Sequence, residues 1–270
     1  MSSPTLHILL IGDTSRPEFH EAVAALEEVA HVTRFADVDA ASVALAEDLF
    51  TVHGIVLAQA YPGQFSAVAI DRLRSLAPLA RLIAILGSWC EGEPRSGHPL
   101  PGVIRMYWHQ AAVRIRWEFP RCFEAESSVW GLPATATDEE RLLASIDAPL
   151  PEGRGLVALW TRRPEMEGLL ADACHRGGYA TVWLHPRRPA RVQGAVAAIY
   201  DGAVLDAAGL AELRQFAAEV SPAPVLALLD APRIQDFRLA QTLGVTVLAK
   251  PFRVDELLRG LSRACLPDGT

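Results

Sequence analysis

Lys250 is the only lysine among 25 basic residues; the other 24 are arginine. A bias of that size reflects codon preference more than chemistry. The exception is informative, because a compact ammonium on a flexible stem supplies what a planar guanidinium does not. Lys250 directly succeeds the apolar run Val245–Ala249, and Asp201 ends a run that begins at Ala195. A carboxylate and an ammonium at the ends of two such runs can share one charged pocket. Asp201 also precedes Gly202, and Asp-Gly favours tight turns, so a plain turn residue is the competing reading.

A second group of chemistry-bearing residues lies in the first half. The stretch 87–101 holds Gly or Pro at six of fifteen positions, which forbids a regular helix, and long structureless loops in compact domains are often functional. Together with residues 102–117 it contributes Trp89, Tyr107, Trp108, His109, Arg114, Arg116 and Trp117. Trp, Tyr and Arg are the usual hot-spot residues of protein interfaces, so a partner-binding surface is one reading and plain packing of aromatics is the other. A metal or catalytic site from Cys90, Glu91, Glu93, His98 and His109 fits no standard ligand spacing. The arginines here are offset by Glu91, Glu93, Glu118, Glu124 and Glu126, which argues against nucleic acid. A further cluster, Arg187, Arg188 and Arg191, reads as a solvated loop.

The elements that must position these residues alternate in type. Strand runs are expected at 6–11, 32–35, 55–58, 82–86 and 103–106, and again at 156–159, 181–184, 195–199, 225–229 and 245–249. Amphipathic helices are expected at 17–29, 64–76, 164–175, 207–219 and 253–264. Val113, Ile115, Trp117 and Phe119 alternate strictly with polar residues, which predicts an extra strand; a helix broken at Pro120 is the alternative. Such alternation argues for parallel, doubly wound sheets. Domains are expected at 1–125 and 154–270, joined by a linker over 126–153 with one short helix capped by Thr137 and Glu140. Thr14-Ser-Arg-Pro-Glu-Phe19 matches Thr161-Arg-Arg-Pro-Glu-Met166, and two later pieces match in the same order, which points to tandem duplication. Taken alone the motif is also ordinary helix-start punctuation.

Residues 154–265 resemble the receiver domain of bacterial response regulators, the CheY-like fold. The resemblance rests on Lys250-Pro251-Phe252, on Asp201 at the end of the third strand, on Gly209-Leu210-x-x-Leu213 eight residues later, and on Pro224–Leu229. It implies two flavodoxin-like (CheY-like) α/β domains, each with a five-stranded parallel sheet in the order 2-1-3-4-5, and a phosphoryl acceptor at Asp201. The departures bear on function. Receivers need an acidic pair after the first strand because Mg²⁺ requires carboxylate oxygens. Here that position reads Trp160-Thr161-Arg162-Arg163. The family's hydroxyl sensor falls on Leu229, or on Leu228 if the alignment slips by one, and its aromatic switch on Val247. Asp201, Lys250, Thr161, Arg162 and Leu229 therefore make a degenerate acceptor pocket, in which Arg162 or Arg163 with Lys250 would neutralise Asp201. In the first half no carboxylate stands between Asp48 and Asp71, so no aspartyl phosphate can form at its third strand.

The expectation is a non-enzymatic signalling or scaffold protein acting through an unknown protein partner, with a homodimer left open. No cofactor and no metal are expected. A phosphorylatable regulator using Asp201 is the alternative. An enzyme on the same fold would need a nucleotide or catalytic motif, and none is present. With 270 residues, a net charge of −7, no continuous apolar span and no basic leader, the chain reads as cytoplasmic, bound to neither nucleic acid nor membrane. Four cysteines lie far apart without CxxC pairing.

Overall fold

The structure is a computed structural model that describes residues 6–47, 51–92, 100–122, 128–146, 150–185 and 192–264. The chain divides into two compact units, Met1–Ala148 and Pro149–Thr270.

In the first unit, β1 (His7–Ile11), β2 (His31–Phe35), β3 (Gly54–Gln59), β4 (Arg81–Leu86) and β5 (Ile104–Tyr107) form one parallel sheet in the order β2-β1-β3-β4-β5. In the second, β6 (Leu156–Trp160), β7 (Ala180–Leu184), β8 (Ala195–Asp201), β9 (Val225–Asp230) and β10 (Val245–Lys250) give β7-β6-β8-β9-β10, the same order. Both are the 2-1-3-4-5 arrangement expected from the sequence, the doubly wound fold of flavodoxin and CheY.

Strands covered on both faces need continuous apolar runs rather than alternation. β3, with the sequence GIVLAQ, is buried along its whole length. In the second unit Val157, Leu159, Ile199 and Leu228 point to one face, against Leu170, Cys174, Leu257, Leu258 and Leu261. Their neighbours Trp160, Tyr200, Ala227 and Leu229 point to the other, against Leu213, Phe216 and Ala240. Helices fill these faces: α1 (His20–Val29), α2 (Val38–Ala46), α3 (Ala67–Leu76), α4 (Trp108–Arg121) and α5 (Asp138–Ile146), then α6 (Pro164–Arg176), α7 (Ala207–Val220), α8 (Ile234–Gln241) and α9 (Val254–Ala264).

Three local expectations change. The strand expected at 113–119 is part of the helix Trp108–Arg121, which carries Pro120 in its last turn. Its buried positions, Trp108, Ala111, Ala112, Ile115, Glu118 and Phe119, recur every three or four residues and pack toward α1. Polar Gln110 and Glu118 lie inside, which hid the helical period. The helix Val38–Ala46, capped by the Asp37 carboxylate accepting from the Ala40 amide at 2.8 Å, has no counterpart among the expected elements. The expected linker 126–153 is not a free connector: Trp130 is buried, Arg81 donates to the Gly131 carbonyl at 3.0 Å, and Arg141 donates to the Val129 carbonyl at 2.7 Å. Those contacts place 128–146 in the first unit. No helix among the described residues is long and apolar enough to cross a membrane.

Candidate functional site

Parallel strands of this fold open a crevice beyond their carboxyl ends, at the point where the strand order reverses. In the second unit that edge gathers Thr161 after β6, Asp201 at the end of β8, Asp230 at the end of β9 and Lys250 at the end of β10. Lys250 and Asp230 are register partners, and Asp201 pairs with Leu228, so β9 lies between the acceptor and the lysine.

The Asp201 side chain is only 2% exposed. Its Oδ1 accepts from Lys250 Nζ at 2.8 Å and from Arg163 Nη2 at 2.9 Å. Its Oδ2 accepts from Thr161 Oγ1 at 2.6 Å and from the same Arg163 nitrogen at 3.0 Å. A carboxylate offers about four lone-pair directions, and here three donors make four contacts to its two oxygens. Burial alone would raise the carboxyl pKa. Hydrogen bonds from Lys250, Thr161 and Arg163, with the charge of Lys250, outweigh burial and hold it below the ordinary 3.8. Asp201 is thus a buried, ionised carboxylate and not an exposed turn residue.

Lys250 is equally committed. Its ammonium also donates to the Gly202 carbonyl at 2.7 Å and meets Asp230 Oδ1 at 2.9 Å, so its three hydrogens have three acceptors. Thr161 is fully buried where a receiver would carry acid; its Oγ1 accepts the Arg163 amide at 3.1 Å, and its carbonyl accepts Trp183 Nε1 at 3.0 Å. Of the two arginines between which the sequence left the choice open, Arg163 faces Asp201. Arg162 pairs with Glu212 and lies 5.7 Å from the Trp160 ring centroid. Glu212 also accepts the Tyr200 hydroxyl at 3.0 Å. Tyr200 stacks on Trp160 at 4.5 Å. Leu229 is buried in the apolar core, on the face that holds Tyr200 and Phe216.

This pocket does not fit Mg²⁺. A hard divalent cation needs several oxygens with free lone pairs. Asp201 has none left, Asp230 Oδ1 is engaged by Lys250, and Arg163 and Lys250 would repel a cation. Among the described residues no group of three or more His, Cys, Asp or Glu could hold a metal ion.

At the matching edge of the first unit, Gln59 is buried at the end of β3, where the second unit has Asp201. A carboxylate is nonetheless present, and reading the sequence missed it. Glu18, 2% exposed, accepts from Arg16 Nε at 3.1 Å, from Ser88 Oγ at 2.7 Å and from the Ser88 amide at 3.2 Å. A short 3-10 turn over Pro17–Phe19 before α1 accompanies this burial. Arg16 aligns with Arg163 in the repeated Thr-x-Arg-Pro-Glu motif, so in both units the arginine before the helix-starting proline binds a buried carboxylate. Only the source of the carboxylate differs.

Of the aromatic and basic group, Trp89 is 72% exposed and lies near Arg16, whose guanidinium carbon is 5.8 Å from its ring centroid. Trp108 is buried, with its ring edge-on to His109 at 5.4 Å, and Tyr107 stacks on His109 at 5.6 Å. Arg116 pairs with Glu28 of α1, Arg121 sits 3.5 Å over the Trp117 ring, and Arg114 is half-buried. Cys90 is buried, its thiol donating to the Gln59 carbonyl at 3.5 Å. Glu93 and His98, like Arg187, Arg188 and Arg191, lie outside the described residues.

No family model matches the chain, and no curated protein matches it. Among solved structures it is similar to a response regulator CheY-like protein from Mesorhizobium loti, 21% identical over 42% of this chain and 99% of that one, with a TM-score of 0.34. It is also similar to the C-terminal part of RcsC from E. coli, which holds a linker region and a phosphoreceiver domain. That match is 14% identical over 97% of this chain and 93% of the other, with a TM-score of 0.32. By strand order, each unit has the CheY-like fold.

Proposed function

We propose that the chain is a non-enzymatic signal-transduction or scaffold protein of tandem receiver-like domains, acting through contacts with a protein partner and without Mg²⁺-dependent phosphorylation of Asp201. The observation that carries this reading is the saturation of the Asp201 carboxylate by Thr161, Arg163 and Lys250. Attack on phosphorus needs a free oxygen lone pair and a cation to offset the charge gathered in the transition state. Here the lone pairs are bonded, and the offsetting charge is built in as Arg163 and Lys250. The pocket rests as a neutralised pair, a state that needs no chemistry to persist. The first unit, with Gln59 in the acceptor position and its own Arg16–Glu18 pair, is read the same way.

One observation favours the alternative, a phosphorylatable Asp201: the Arg163 side chain is 56% exposed, so it can leave the carboxylate without unfolding anything. Incubation with acetyl phosphate and Mg²⁺, then intact mass measurement, decides between them. The proposal expects the unmodified mass, with an Asp201→Asn control equally unmodified. A gain of one phosphoryl group that the control lacks would establish the alternative.

A further inference from the structure

Three histidines meet at the opposite end of the first sheet, at the amino ends of its strands. His7 opens β1, His31 opens β2, and His53 immediately precedes β3. The register sets His7 beside His31, with ring centroids 5.0 Å apart. The backbone of this corner is closed by the His31 amide donating to the Leu6 carbonyl at 2.8 Å and the His53 amide donating to the His7 carbonyl at 2.9 Å.

One bond here is chemically selective. The His7 backbone amide donates to Nδ1 of His53 at 3.1 Å. An imidazole nitrogen accepts only when it carries no hydrogen, so this bond requires His53 neutral with its proton on Nε2. Protonation replaces the acceptor with a donor facing another donor. We infer that His7, His31 and His53 form a proton-sensitive clasp that holds the edge strand His31–Phe35 and the start of β1 in place when neutral and loosens them on acidification.

The groups facing the clasp agree with that sign. From β2, His31 stands over His7, and Thr33 Oγ1 lies 2.8 Å from His7 Nε2. From the segment before β3 comes His53 itself. From β4, Arg81 contributes its amide to the His53 carbonyl at 3.0 Å, while its guanidinium is directed to Gly131. Burial first, then the charges of His31 and His53, lower the His7 pKa from 6.5. A folded value below the unfolded one means the folded state binds fewer protons. The contribution is complete above pH 6.5 and is lost as the pH falls through the folded value. Among the described strands β2 is an edge strand with β1 as its single neighbour.

The test uses the full chain. Histidine ring signals are titrated by NMR from about pH 8 to about pH 5, and amide exchange of peptides covering 6–11 and 31–35 is measured over the same range after correction for intrinsic rates. His7 is expected to titrate below 6.5, and protection of 31–35 to fall as the pH is lowered through that midpoint. His31→Gln, at an exposed position, removes one charge and should move the His7 midpoint upward. His53→Asn keeps an acceptor for the His7 amide and removes the other neighbouring charge, so it too should move the His7 midpoint upward. A His7 midpoint at or above 6.5, or unchanged pH dependence of protection in both variants, would overturn the inference.

Discussion

Lys250→Met and Arg163→Ala each delete one cation from Asp201, yet the structure predicts unequal costs. The Lys250 side chain is 12% exposed and Arg163 is 56% exposed, while the carboxylate they share is 2% exposed. Breaking a buried ion pair by removing one partner costs about 3–5 kcal/mol, because the survivor is left desolvated and uncompensated. Thr161 and Arg163 remain on Asp201 in Lys250→Met, so the lower end applies, about 3 kcal/mol. The Arg163 contribution is discounted for solvent screening to about 1 kcal/mol or less. Hydrogen exchange of peptides covering 195–201 and 225–230 reads the second unit separately from the first. Asp201→Asn provides the control: with the carboxylate gone, Lys250→Met should cost about 1 kcal/mol, since little remains to be uncompensated. Equal costs for the two cations, or an undiminished Lys250→Met cost in the Asp201→Asn background, would show that packing and not charge holds this pocket, and the reasoning would fail.

Other consequences can be checked with the same methods. Asp201→Asn should flatten the acid limb of stability: a carboxyl depressed below 3.8 stabilises the fold above that value and loses its contribution as the pH falls through the folded pKa. Urea midpoints between about pH 5 and about pH 2.5 would show it, and an unchanged acid limb would contradict the assigned network. Gly87→Ala places a Cβ 2.5 Å from Glu18 Oε1 and should cost about 2 kcal/mol, partly recovered by Glu18→Asp; a neutral Gly87→Ala would mean the carboxylate is elsewhere. Phe119→Ala should cost about 3–5 kcal/mol in urea unfolding, and Trp117→Ala clearly less, because Phe119 is fully buried and Trp117 half-buried. Equal costs would favour a strand over the helix at 108–121.

Much of the sheet was legible because strands buried on both faces are written as unbroken apolar runs, as at 55–58 and 225–229, while the edge strand at 31–35 carries Thr33 and Arg34. Strand order came from Lys250-Pro251-Phe252 and the Asp201 spacing, not from the runs themselves. The helix at 108–121 was obscured by two buried polar residues. Glu118 is held inside by Ser128 Oγ at 2.8 Å, and a residue satisfied by a distant partner breaks the local pattern that hydrophobic periodicity relies on. In the pocket, Asp201, Thr161 and Lys250 were legible from position, whereas the choice of Arg163 over Arg162 was not. Adjacent residues leave a turn in different directions, and Glu212 on α7 takes the first arginine. Glu18 was hidden for the same kind of reason. An acid in a first helical turn reads as exposed dipole compensation, and only the fold reveals Ser88, 70 residues away, waiting for it.

The Asp201 carboxylate, bonded by Thr161, Arg163 and Lys250, has no oxygen to give a divalent cation. Paramagnetic Mn²⁺, a close substitute for Mg²⁺, broadens the amide signals of whatever it binds. Titrated into the full chain, it should leave residues 161–163, 201–203 and 250–251 no more broadened than the rest of the surface. Selective, saturable broadening of those residues, reversed by Mg²⁺, would show that a cation site survives beside Asp201.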